Sequence, residues 1–157
     1  MPAPIAARAL ATWFGCGLSP KAPGTVGSIG TLPLYFGLKL LPWPAYLAAV
    51  VVLTGLGVWA SQRYAEAAQE EDPQRVVIDE VVGTLLALGM VASFGIVAEA
   101  CAFVLFRLLD ITKPGPIDTV QNLKPVGVGV MADDVLAGLG AGALTYGFAT
   151  LLHTFTV

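Results

Sequence analysis

The chain is poor in ionisable side chains. Charged residues make up 12% of its 157 positions, about half the roughly 25% usual in soluble domains. Hydrophobic residues make up 56%, and mean hydropathy is +0.77. A soluble domain of this size leaves about a third of its chain surface wet, so it could not hide that much apolar surface. The excess calls for lipid or a large partner. A basic excess is missing too: eight Lys and Arg against eleven Asp and Glu leave a net charge of −3. That argues against nucleic-acid binding, which calls for a basic patch. Cys16 and Cys101 are too few and too far apart for a disulfide framework or a thiolate metal site. No secretory signal is expected, because Arg8 is the one early basic residue and no cleavage site follows a clean apolar core.

Several catalytic signatures are also wanting. His153 is the sole histidine, which excludes a mechanism needing two. Asp-x-Asp-x-Thr does not occur, nor does the phosphate loop G-x-x-x-x-G-K-[ST]. Cys101 and Arg107 have the C-x₅-R spacing of cysteine phosphatases. The Ala-Phe-Val-Leu-Phe between them reads as apolar helix rather than as a loop of free amides, so the match is accidental.

What the chain does have is long uncharged stretches at 22–38, 40–62, 81–98 and 135–157, the last with only His153. A membrane span needs about 20 mostly apolar residues; two stretches meet that length and two are marginal. Proline and glycine set the expected breaks. One helix runs from after Pro23-Gly24 to near Leu41, and the next from 45 to 68, after Pro42 and Pro44. Two shorter helices at 79–92 and 96–110 are joined by Ser93-Phe94-Gly95. A Pro- and Gly-rich loop follows at 111–130, then a last helix at 131–152. A short interfacial helix is expected at 5–14. No repeat or low-complexity segment interrupts the chain, so residues 1–157 read as one domain. The fold class is all-α, a polytopic membrane bundle.

Helices joined by short loops alternate in direction, and this places the charges. Lys21, Arg63, Arg75, Asp79, Glu80, Arg107, Asp110, Lys113, Asp133 and Asp134 all fall at helix ends on one side. Lys39 and the nearly uncharged turn at 92–95 fall on the other. The positive-inside rule assigns the crowded side to the cytoplasm. The run Glu66, Glu70, Glu71, Asp72 reads as a solvated helix end. Glu99, in an apolar stretch near the far side, is given no catalytic role.

Three groups of polar residues carry chemistry. Asp79-Glu80 and Asp133-Asp134 each open an apolar helix. One such pair is explained by capping. Two pairs on one face are four carboxylates that repel each other and call for a cation. Hard oxygen donors fit Mg²⁺. Ser19-Pro20-Lys21-Ala22-Pro23-Gly24-Thr25 puts a lysine and hydroxyls before a helix N-terminus, an arrangement suited to phosphate. Its plain alternative is a loop with Thr25 as N-cap and Lys21 among lipid headgroups. Arg107, Asp110 and Lys113 follow at spacings of three, so Arg107 and Asp110 share a helix face. They form either a functional ion pair or a snorkelling arginine with its partner.

Taken in order, four blocks resemble the phosphatidylglycerophosphatase A family: 17–28 (GLSPKAPGTVGS), 77–83 (VIDEVVG), 106–114 (FRLLDITKP) and 127–138 (GVGVMADDVLAG). The resemblance implies Mg²⁺-dependent hydrolysis of phosphatidylglycerophosphate to phosphatidylglycerol and phosphate at a bacterial inner membrane. As no strong side-chain nucleophile presents itself, metal-activated water is the expected attacking group. It further implies that Asp79, Glu80, Asp133 and Asp134 hold the metal. Lys21, with Ser19, Thr25 and Ser28, would contact the phosphate, helped by Arg107 or Lys113. Membrane lipid is the expected surrounding, and no protein partner is predicted. Segment 115–125 departs from the family pattern, reading as short of aromatic and basic side chains, with Gly115, Asp118, Thr119 and Gln121 there instead.

Two rival functions remain. One is a phosphatase of the same mechanism acting on another lipid phosphate. The other is a small ion or proton transporter, which would favour acids near mid-membrane in broken helices rather than at helix ends.

Overall fold

The computed structural model describes residues 2–70 and 73–156. Among them there is no strand, and the elements are eight α-helices. They are α1 (Ile5–Ala11), α2 (Pro23–Gly30), α3 (Leu32–Leu38), α4 (Trp43–Ala68), α5 (Ile78–Val91), α6 (Ile96–Thr112), α7 (Pro116–Val120) and α8 (Val126–Thr156). Short 3₁₀ turns cover Cys16–Leu18 and Ala92–Phe94.

α5 is the central helix. Ten of its fourteen residues are buried, and α8, α6, α4 and α2 pack around it. Its crossing with α8 is close because neither helix carries a side chain at the contact: a Cβ on Gly138 would lie 2.4 Å from the Gly83 carbonyl oxygen. The core gathers Ile78, Val81, Val82, Leu85 and Leu88 from α5, Phe106 from α6, Met131 from α8 and Tyr35 from α3. Buried tyrosines satisfy their hydroxyls on α5 carbonyls: Tyr46 donates to Leu85 at 2.6 Å and Tyr35 to Leu88 at 3.4 Å.

Two helices, Trp43–Ala68 and Val126–Thr154, are long and apolar enough to cross a membrane. Only 28% of each apolar window is buried, so these are not core helices of the usual soluble kind. Leu47, Val51, Val52, Leu144, Phe148 and Leu151 point outward.

The helices differ from the expected ones chiefly in three places, one of which is α7, lying inside the expected loop at 111–130. The first long helix is broken at Thr31, between α2 and α3, because Pro33 has no N–H to donate and fits only in the first turn of a new helix. The last helix starts at 126 rather than 131, with the Pro125 carbonyl accepting from the N–H groups of Val128 and Gly129. The glycines at 127 and 129 read as loop but are helical. A Cβ on Gly127 would meet the Val58 carbonyl of α4 at 2.2 Å, so the glycine lets α8 lie on α4. As a result Asp133 and Asp134 stand about two turns inside α8 and do not open it. Of the acidic run after α4, Glu66 and Glu70 are exposed; Glu71 and Asp72 lie outside the described residues.

Candidate active site

The ends of α5 and α6, the second turn of α8, the start of α2 and the segments 73–76 and 121–124 enclose a cavity of about 700 Å³. Asp79, Glu80, Arg107, Asp110, Lys113, Asp133 and Asp134 line it, together with Gly24, Gln74, Gln121, Asn122 and Lys124. Seven of the ten charges expected on one side of the bundle therefore converge on one space; Lys21, Arg63 and Arg75 do not line it.

Three carboxylates form its centre. Asp79, Glu80 and Asp134 each present an oxygen, all within 4.8 Å of one another. Asp79 Oδ1, Glu80 Oε2 and Asp134 Oδ2 are shielded from solvent and have no hydrogen-bond partner among the described residues. Side-chain capping does not account for them. The N-cap of α5 is Val77, without a side-chain cap bond, and Asp134 is in the helix interior. Burial, with Glu80 beside it, holds the Asp79 carboxyl well above the usual carboxylate range. Burial also raises Glu80, against the lowering effect of the adjacent Asp79 carboxyl and of nearby Arg107. Buried, unpaired and mutually repelling oxygens make a donor set suited to a hard cation.

Asp133 is turned elsewhere. Its Oδ2 accepts from Lys113 Nζ at 2.5 Å, and its Oδ1 accepts from the Asp134 N–H at 3.1 Å. Lys113 also donates to Gln121 Oε1 at 3.0 Å, and Gln121 donates to Asp118. Burial draws the Lys113 ammonium pKa down, but Asp133 and the other acids outweigh this and hold it above the usual lysine range. Lys113 is the C-cap of α6 and has φ 42. This left-handed conformation, costly for a side chain with a Cβ, ends the helix at the cavity.

Arg107 connects the acids to the α2 segment. Its Nη1 pairs with Asp110 Oδ2 at 2.5 Å and donates to Ser28 Oγ at 3.3 Å, while Nε has no partner among the described residues. Gly24 allows α2 this close: a Cβ there would lie 2.1 Å from Glu80 Oε1.

The structure thus brings Asp79, Glu80, Asp133, Asp134, Arg107 and Lys113 to one cavity and places Ser28 behind Arg107. Ser19, Lys21 and Thr25 do not line it. Lys21 is exposed, its carbonyl accepting from the Ser19 hydroxyl at 2.9 Å. Thr25 lies in the first turn of α2, whose N-cap is Ala22. Four lining residues, Gln74, Gln121, Asn122 and Lys124, were not picked out as site residues from sequence. Lys124 is a basic residue within 115–125, a segment read as short of basic side chains, and its own identity was the available signal.

The phosphatidylglycerophosphatase A family model matches residues 9–149. The chain belongs to the phosphatidylglycerophosphatase A family. The phosphatidylglycerophosphatase A of Escherichia coli K12 is 34% identical over 137 residues, covering 87% of this chain and 80% of that protein. The Haemophilus influenzae phosphatidylglycerophosphatase A is 37% identical over 133 residues, covering 84% and 82%. A Bacteroides thetaiotaomicron protein described as a putative phosphatidylinositol-3-phosphatase is 45% identical over 143 residues, covering 83% and 85%. No solved structure matches the chain significantly. The matched span includes every residue that lines the cavity.

Proposed function

We propose that this protein is a Mg²⁺-dependent phosphatidylglycerophosphatase, hydrolysing phosphatidylglycerophosphate to phosphatidylglycerol and phosphate at the cytoplasmic face of a bacterial inner membrane, with several helices crossing the bilayer. The observation that carries the reading is the trio of buried, unpartnered carboxylate oxygens on Asp79, Glu80 and Asp134, beside Arg107 and Lys113 in one cavity. Family membership supports the lipid phosphomonoester as substrate.

Asp79, Glu80 and Asp134 would hold the ion. Bound there, Mg²⁺ supplies charge neutralisation and a water nucleophile active at neutral pH. The Arg107 guanidinium, with Nε unpaired, binds phosphate oxygens and stabilises the charge on the transferring phosphoryl. Asp133 stands outside the trio, so its carboxylate, held by Lys113, accepts the proton of the attacking water. No residue is placed as a covalent nucleophile. The apolar outward faces of α4 and α8 suit a substrate whose acyl chains stay in lipid. Acids gathered in one cavity beside Arg107 and Lys113, rather than strung along a path through the bundle, also disfavour a transport role.

The test is phosphate release from phosphatidylglycerophosphate with Mg²⁺ and with chelator, beside Lys21→Ala, Asp79→Asn and Asp133→Asn. Full activity in chelator, or in all three variants, would overturn the reading. Phosphatidylinositol 3-phosphate is run in parallel, since the Bacteroides relative carries that description; faster release from it would reassign the headgroup.

A further inference from the structure

Two apolar recesses flank one strip of α6. The larger, about 690 Å³, lies between α6 and α8, with Leu105, Leu144 and Phe148 in its wall. The smaller, about 250 Å³, lies between α6 and the α3–α5 side, with Phe36, Leu88 and Phe103 in its wall. Both are lined by Ile96, Ala100 and Val104. Those three residues follow at intervals of four and make a ridge with a recess on each side.

The ridge points at the candidate active site. Arg107 follows Ile96 by eleven residues, which on a helix is about three turns plus 20°, or roughly 16 Å along the axis. The guanidinium therefore crowns the face that carries the ridge. Among the lining residues of the two recesses only Cys101, Thr145, Tyr35 and Glu99 carry polar side-chain groups. The Tyr35 hydroxyl donates to the Leu88 carbonyl, and Glu99 spends its carboxylate on Lys39.

We propose that the ridge Ile96–Ala100–Val104 is a saddle for a diacyl lipid, its two acyl chains lying one in each recess and its phosphate directed toward Arg107. The inference rests on the lipid phosphatase reading and adds to it the place where the diacylglycerol part binds. It makes the enzyme selective for two-chain phosphomonoesters rather than for the headgroup alone. Two recesses sharing one ridge fit a two-chain lipid, and the cation above them fits its phosphate.

The experiment pairs Ala100→Trp, which places bulk on an exposed ridge position, with Val51→Trp on the outward face of α4, where Val51 is 62% exposed. Each is assayed with dipalmitoyl and with dihexanoyl phosphatidylglycerophosphate. Ala100→Trp should raise KM for the long-chain lipid roughly tenfold. It should leave the short-chain lipid within about twofold, as Val51→Trp should for both. Equal losses on both lipids, or no change on the long-chain one, would overturn the saddle. A second arm needs no turnover: lipids with a photoreactive acyl chain are cross-linked to the wild-type protein and the adducts mapped. Photoreactive phosphatidylglycerophosphate should mark peptides from both recesses more than photoreactive phosphatidylcholine does, and an identical map for the two lipids sinks the inference. Enrichment without phosphate release would instead sink the proposed reaction and leave the saddle standing.

Discussion

Lys113 Nζ lies 2.5 Å from Asp133 Oδ2, tying the end of α6 to the second turn of α8. Asp133 is 4% exposed, so its charge depends on that ammonium. Lys113→Met should cost about 3 kcal/mol by leaving a buried carboxylate uncompensated. Adding Asp133→Asn should restore most of the stability and none of the phosphate release. Thermal unfolding and activity, measured on the same preparations, separate the two effects.

Asp79, Glu80 and Asp134 crowd their carboxylates where no cation among the described residues is bonded to the free oxygens. Mg²⁺ should therefore raise the melting temperature of the wild type, by a free energy near 2.7 kcal/mol at a hundred times its Kd. Asp134→Asn should melt higher than wild type in chelator, gain little from Mg²⁺, and lose at least about a hundredfold in phosphate release. A wild type whose melting is indifferent to Mg²⁺ would count against the trio as a cation site.

At the other end of the bundle, Glu99 is 2% exposed and pairs with Lys39, whose ammonium also lies 5.7 Å from the Tyr35 ring centroid. Lys39→Met should destabilise by about 3–5 kcal/mol, the cost of stranding a buried charge. The double variant Lys39→Met/Glu99→Leu should recover most of that. Phosphate release from a short-chain substrate, per folded molecule, should be unchanged in the double variant, because Glu99 lines the smaller apolar recess and neither residue lines the polar cavity. A loss of turnover there would give the pair a role in catalysis.

Gly138 and Gly83 let α8 and α5 touch backbone to backbone. Gly138→Ala should cost about 1–3 kcal/mol as overpacking and should lower activity by moving Asp134 off Asp79 and Glu80. Gly140→Ala is the control, since its Cβ meets Leu109 Cδ1 at an ordinary 3.5 Å. Equal activity in the two variants would mean that the crossing does not set the site.

Much of this was legible in the sequence for local reasons. Proline and glycine mark where backbone hydrogen bonding must stop, so the ends of α4, α5 and α6 fall close to those expected. The start of α8 was missed because Gly127 and Gly129 look like loop residues in isolation. Their reason for being glycine is the neighbouring α4 carbonyl and segment 121–123, which are distant in the chain or outside any helical period. Lys39 and Glu99 are 60 residues apart, and no local pattern joins them.

The sequence alone determined that the chain is helical and apolar and that it carries two acidic pairs. It also expected both pairs at helix starts beside the Lys21 loop, whereas Asp133 and Asp134 lie inside α8 and Lys21 does not line the cavity. Periodicity and composition act over a few turns and need no partner to be read. Only the tertiary structure divided the four acids: Asp79, Glu80 and Asp134 meet with unpaired oxygens, while Asp133 turns to Lys113. Adjacent residues on a helix point about 100° apart, so which member of each pair faces the other helix depends on how α5 and α8 cross. That crossing is set by Gly83 against Gly138, a contact between residues 55 positions apart in the chain.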